Sequence, residues 1–186
     1  LCNSGNNIID PGLGNDSILG YGGTDTLTYA TATGQVTINI GFAGDTGISF
    51  GAAGSDTFTG FLVFIGSSAN DSIIGSTTST SVIGGLGDDT IDGGSSGADT
   101  LVGGAGIDTI RYVSAPSGVS INLSASSSSG GKSDVFLEVE NVIGSSAADT
   151  ISGNTDNNTI EGGLGHDRLQ GGGGVDAVSY ASATGA

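Results

Sequence analysis

The sequence predicts an all-β protein, a parallel β-solenoid, on three observations. Along most of the chain an apolar residue returns every nine positions, glycines open most of these nines, and an aspartate commonly holds the sixth place, ahead of the apolar eighth. Nine residues are too few for a helical pair and too regular for unrelated loops. A six-residue turn followed by a three-residue strand, repeated, winds into stacked coils of two nines each, with one apolar residue per strand pointing inward.

The first run, residues 1–28, reads CNSGNNIID, PGLGNDSIL and GYGGTDTLT, with Ile9, Ile18 and Leu27 at the apolar place. A spacer follows at 29–65, opening YATATGQVTINI. There Val36, Ile38 and Ile40 alternate with polar residues, the pattern of a strand with one buried face. The second run, 66–111, is GSSANDSII, GSTTSTSVI, GGLGDDTID, the ten-residue GGSSGADTLV, and GGAGIDTIR, with Ile73, Val82, Ile91, Leu101 and Ile110 at the apolar place. A second spacer, 112–143, repeats the alternation at Val119, Ile121 and Leu123. The third run, 144–179, carries Ile151, Ile160, Leu169 and Val178, and 180–186 begin another spacer. An offset of 151 residues aligns NNTIEGGLGHD at Asn157 with NNIIDPGLGND at Asn6, so the chain reads as a section of a longer array in one continuous solenoid. Tyr29, Tyr112 and Tyr180 each end a run and are expected to plug the core where the coil changes shape.

Composition narrows the function. The 186 residues include 37 glycines, 19 acidic residues and only three basic ones, Arg111, Lys132 and Arg168, for a net charge of −16. Nucleic acid and anionic membranes call for basic patches, so neither is an expected partner. Such acidity also suits a disordered chain, but 35% hydrophobic residues and periodic β-formers argue for order. Cys2 stands alone and cannot form an internal disulfide. No run approaches the roughly 18 to 20 apolar residues of a membrane span, and LCNSGNNIID shows neither the basic start nor the apolar block of an export signal.

Glycine serves the corners, where positive φ is needed and bare backbone leaves carbonyl oxygens open as ligands. Stacking explains the aspartates. A nine lies over the nine two further on, about 4.8 Å away, so Asp71 should face Asp89, and Asp89 face Asp108. Carboxylates that close repel unless a cation lies between them. Calcium accepts carboxylate and carbonyl oxygens in forgiving geometry, whereas magnesium is stricter. Zinc would want His or Cys, and the chain offers one of each, far apart.

GGLGDDTID, GGAGIDTIR and GGLGHDRLQ resemble the G-G-x-G-x-D-x-U-x nonapeptide of the RTX, or hemolysin-type, calcium-binding family. The resemblance implies a right-handed parallel β-solenoid of the β-roll type, with several Ca2+ ions bound in the turns between stacked coils by sixth-position aspartates and backbone carbonyls. Carried to this chain, the ligands are Asp16, Asp25, Asp71, Asp89, Asp99, Asp108, Asp149, Asp167 and Asp176. Asp56 and Asp134 are expected to join them. After a shortened half-coil each would face Asp71 or Asp149, giving one line through Asp56, Asp71, Asp89 and Asp108 and another through Asp134, Asp149 and Asp167. Asn7, Thr80 and Asn158 depart from the pattern, and sites shared with them should be weaker or empty.

Asp10, Asp88, Asp92 and Asp156 fall off the sixth place and are expected on the solvated surface; Asp45, in a spacer, is uninformative. Arg111 and Arg168 are expected to pair with neighbouring carboxylates. His166 occupies the variable fifth place beside Asp167, and no Gly-x-Ser-x-Gly elbow or paired acidic cleft accompanies it, so no enzyme is expected. Threonine-rich strands such as TLTYATAT read as ordinary β-formers rather than an ice-binding ladder. The resemblance implies a calcium-stabilised structural module of a bacterial extracellular or cell-surface protein, of adhesin, surface-layer or filament type, folding on calcium after secretion. The alternative is an accessory β-roll of a secreted enzyme or toxin. Open coil ends would allow self-association into an array or filament.

Overall fold

A computed structural model describes residues 3–41, 46–130 and 132–182; Cys2 and Asp45 lie outside the described residues. Its strands are short because each strand of a nine has only three residues before glycine returns, and among the described residues they assemble into two ten-stranded sheets. Consecutive nines enter opposite sheets. Ile8–Ile9 lies in the first, Ser17–Leu19 in the second and Thr26–Thr28 in the first again. A nine therefore pairs, in parallel, with the nine two further on: Ile9 with Leu27, Val82 with Leu101, Ile73 with Ile91, Ile91 with Ile110, Ile151 with Leu169 and Ile160 with Val178.

This register stacks like on like. In the first sheet Leu27, Phe64, Val82, Leu101 and Phe136 follow one another across the strands. In the second the row is Ile38, Ile73, Ile91, Ile110, Val142 and Ile160. All of these are buried, and they form a single core cluster between the sheets. Removing each such side chain from water contributes roughly 1.5–3 kcal/mol. Ile9 and Leu169 are half-buried against that core, and Val178 is 51% exposed because no strand follows its own in the second sheet among the described residues.

The spacers depart from the sequence expectation. Their alternating segments are strands with one buried face, Val36–Asn39 and Val119–Asn122. These pair in parallel with the run that follows them, at Ser72–Ile74 and Thr150–Ser152. The chain then reverses. Thr46–Gly51 is antiparallel to both Val36–Asn39 and Gly54–Thr59, and Gly54–Thr59 pairs in parallel with Ser17–Leu19 in the preceding run. The second spacer does the same: Ser127–Gly130 is antiparallel to Val119–Asn122 and Val135–Leu137, and the latter joins Thr100–Ala105. An inserted reverse strand offers ladder partners to the backbone on both of its sides, which a shortened half-coil would not. Phe58, on the last of these strands in the first spacer, packs edge-on against Phe61 and at a tilt of 52° against Phe64.

Tyr29 and Tyr112 are buried where the runs give way to spacers, whereas Tyr180 is 76% exposed. No helix among the described residues is long and apolar enough to cross a membrane.

Candidate metal centre

At each sixth position the aspartate follows a glycine-rich corner and precedes a strand, so its backbone is fixed on both sides. One carboxylate oxygen is tied to the neighbouring strand. Asp71 N–H donates to Asp89 Oδ1 at 2.7 Å, and Asp89 N–H to Asp108 Oδ1 at 2.8 Å. Asp149 N–H donates to Asp167 Oδ1 at 2.9 Å, Asn7 N–H to Asp25 Oδ1 at 2.8 Å, and Asn158 N–H to Asp176 Oδ1 at 3.0 Å. This leaves Oδ2 to be satisfied by something else.

For several aspartates the protein supplies nothing. Oδ2 of Asp25, Asp89, Asp108 and Asp134 is buried without a hydrogen-bond partner. Among the described residues Asp25, Asp56, Asp71, Asp89, Asp99, Asp108, Asp134 and Asp149 are all buried, against a single buried base, Lys132. Burying unpaired carboxylates costs several kcal/mol each, and the cost appears as raised pKa values, the carboxyls being made weaker acids. Burial, with help from Asp71, Asp108 and Asp88, pushes the Asp89 carboxyl up to about 7 despite the hydrogen bond from Asp71 N–H. Burial likewise raises Asp108, beside Glu140, and Asp134.

The first glycine of the nine makes room for the free oxygen. A Cβ on Gly84 would run into Asp89 Oδ2 and approach the Gly103 carbonyl oxygen to 2.6 Å; one on Gly103 would meet Asp108 Oδ2 at 2.6 Å and the Glu138 carbonyl oxygen. Gly66 and Gly144 hold the same two kinds of oxygen, from Asp71 with Gly84 and from Asp149 with Gly162. Carboxylate and carbonyl oxygens thus converge beside the turns, an all-oxygen donor set that suits a hard cation such as calcium. Among the described residues no three His, Cys, Asp or Glu side chains gather into a metal-holding group. Any ion here would have to draw heavily on backbone carbonyls.

Two expected neighbours are wrong. Asp56 faces Asp16, whose N–H donates to Asp56 Oδ1 at 2.9 Å, and Asp134 faces Asp99 by the same bond at 2.9 Å. Asp71 and Asp149 instead receive the N–H groups of Val36 and Val119, at 2.8 Å each. The reversed strands of the spacers cause both changes. Asp16 and Asp167 are half-buried, and Asp176 is exposed. Asp56 Oδ2 accepts the hydroxyls of Tyr29 at 2.9 Å and Ser49 at 3.1 Å, and burial pushes the Tyr29 phenol well above its usual range.

Asp92 is also misplaced by the sequence reading. It is buried, accepts Gly94 N–H at 2.9 Å and binds the Ser114 hydroxyl, whereas Asp10, Asp88 and Asp156 are exposed as expected. With Asp92 so engaged, Arg111 opposite it makes no ion pair among the described residues. Among the described residues Lys132 alone forms salt bridges, and Arg168 forms none.

Glu140 was missed. Its Oε2 accepts Asp108 N–H at 2.8 Å, taking the aspartate's place in the ladder. It stands immediately before the strand Asn141–Ile143, two residues ahead of inward Val142, as Asp89 stands ahead of Ile91; that spacing was the available signal. A second, outer ladder was also missed. Asn70 Oδ1 accepts Asp88 N–H, and Asp88 Oδ1 accepts Ile107 N–H, both at 2.9 Å, so the fifth position is not merely variable. His166 occupies that position and is exposed. At Asn158 an amide replaces the carboxylate and satisfies itself, accepting Asn154 N–H at 2.9 Å and donating to the Glu140 carbonyl at 2.7 Å. Thr80 donates its hydroxyl to Asp99 Oδ1 at 3.2 Å.

Comparison with curated proteins finds no match. The family described as RTX calcium-binding nonapeptide repeat matches four stretches, residues 3–30, 65–95, 93–111 and 143–178, which together span more than half of the chain. These segments carry most of the three-residue strands and of the sixth-position aspartates, and the spacers complete both sheets. The chain belongs to the RTX calcium-binding nonapeptide repeat family.

Proposed function

We propose that this chain is a right-handed parallel β-roll that folds around calcium and serves as a structural module of a bacterial extracellular or surface protein. One observation carries the reading: a row of buried carboxylates, with Asp25, Asp89 and Asp108 each holding an unpartnered oxygen and no buried base beside them. The family's calcium-binding character supplies the cation's identity. The proposed ligands are Asp16, Asp25, Asp56, Asp71, Asp89, Asp108, Asp149, Asp167 and Asp176, joined by Glu140 and by carbonyls of the glycine corners.

Bound calcium would supply positive charge where the carboxylates meet. The chain's own residues hold the oxygens in place, through backbone N–H groups on Oδ1 and a missing Cβ beside Oδ2, and exclude water through the apolar rows. Where calcium is scarce the carboxylates repel and folding is opposed. Where it is abundant, binding free energy adds to folding. Such a device suits a protein that must stay unfolded until exported.

Far-UV circular dichroism and metal analysis test this. Chelation is expected to abolish most of the β signal, and restored calcium to recover it with several ions per chain. A β spectrum indifferent to chelation, in protein that carries no calcium beforehand, would overturn the proposal.

A further inference from the structure

Lys132 is out of character for this protein. It is one of three basic residues, yet its side chain is only 1% exposed. Its ammonium lies 2.9 Å from Asp99 Oδ2 and 3.8 Å from Asp134 Oδ1, and donates to the carbonyl oxygens of Gly94 at 3.1 Å and Ser96 at 3.3 Å. Two carboxylates from adjacent strands and two carbonyls of a glycine-rich corner are the same kinds of oxygen that converge beside Gly66, Gly84 and Gly103. At Asp89 and Asp108 the second carboxylate oxygen has no partner; at Asp99 the lysine satisfies it.

We propose that Lys132 is a built-in cation, its ammonium taking the place of a calcium ion between Asp99 Oδ2 and Asp134 Oδ1, so that these two oxygens are served without metal while Asp134 Oδ2 keeps no partner. The inference rests on the calcium reading for the other rungs.

The first spacer provides an internal comparison. Its GSDTF, from Gly54, matches KSDVF, from Lys132, and both spacers bring their aspartate beside one of the preceding run: Asp56 beside Asp16, Asp134 beside Asp99. At Gly54 no lysine can stand. Its φ is +122°, and an added Cβ would collide with the Gly14 backbone. The two spacers thus present corresponding acid pairs: one holds a lysine, while in the other Asp56 Oδ2 is held by the Tyr29 and Ser49 hydroxyls and, among the described residues, no base stands beside it.

The test is a calcium count by equilibrium dialysis and native mass spectrometry on the unaltered chain and on Lys132→Gly, which installs the residue of the first spacer. The variant is expected to bind one calcium more than the unaltered chain. Equal counts, with calcium bound to both, would overturn the inference while leaving the calcium reading intact; no calcium on either would overturn both. Should the variant fail to fold, the unaltered chain decides. At saturating calcium a 15N-labelled Lys132 is expected to show a slowly exchanging ammonium resonance held by the carboxylates. Its absence, with the ammonium exchanging as freely as a solvent-exposed lysine, would mean that calcium has displaced it and would overturn the inference.

Discussion

The N–H of Asp89 donates to Asp108 Oδ1 at 2.8 Å, while Asp108 Oδ2 is buried with no partner. Asp108, like Asp25 and Asp89, is thus half structural and half unspent: one oxygen fixes the register of two neighbouring strands, and the other waits for charge.

Substitutions that separate these roles should behave differently. Asp89→Ala removes both oxygens and is expected to lower calcium affinity at least tenfold and to steepen the calcium dependence of folding. Asp92→Ala removes a buried carboxylate bonded to Ser114 and to Gly94 N–H, and is expected to cost about 1.5–3 kcal/mol at saturating calcium with little change in affinity. Calcium titration alongside denaturant melts checks both; matching losses of affinity would refute the separation.

Ile91 sits between Ile73 and Ile110 in the second sheet and is 1% exposed. Truncation to Ala should cost roughly 2–5 kcal/mol. Thr90→Ala, at a half-buried place beside it, should cost about 0.5 kcal/mol or less. Urea unfolding at saturating calcium is the measurement, and equal midpoints would contradict the inward row.

Gly84→Ala tests the space beside the carboxylate. The added methyl meets Asp89 Oδ2 and the Gly103 backbone, and only the side chain can give way. A stability loss of about 1–3 kcal/mol is expected, accompanied by weakened calcium binding because Asp89 is the group displaced. A stability loss with unchanged calcium affinity would show that Asp89 Oδ2 takes no part in binding.

Acid should act in opposite directions on the metal-free and calcium-loaded protein. The folded chain raises Asp89 to about 7 through burial, above its ordinary range, so the folded state holds more protons than the unfolded one. Its contribution is greatest below the unfolded value and is lost as pH rises through about 7. In chelator, β structure is therefore expected to increase from pH 8 toward about 4.5. With calcium present, protons compete for the same oxygens and apparent calcium affinity should fall over that interval. Circular dichroism against pH in both conditions decides the matter; a metal-free signal that declines steadily with acid would contradict it.

The nine-residue period, two of which separate Ile73 from Ile91 and, with one added residue, Ile91 from Ile110, determined the strands, their parallel pairing and their inward faces, because a period shared by turn and strand leaves one register that stacks apolar on apolar. The same spacing set Asp71, Asp89 and Asp108 in line. It also pointed to the cation, since aspartates a strand apart repel unless something positive joins them. What the sequence could not decide was where the chain turns back. Asp56 faces Asp16, and Asp134 faces Asp99, because a reversed strand in each spacer sends the chain to the run it has just left. Periodicity reports which residues share a face, not which open strand edge a spacer will join. The same limit hid Lys132, whose distance in sequence from Asp99 gives no sign that the tertiary structure closes the two to 2.9 Å. Only the packed sheets bring that ammonium to the carboxylates, where burial strengthens their attraction and excludes the water that would otherwise screen it.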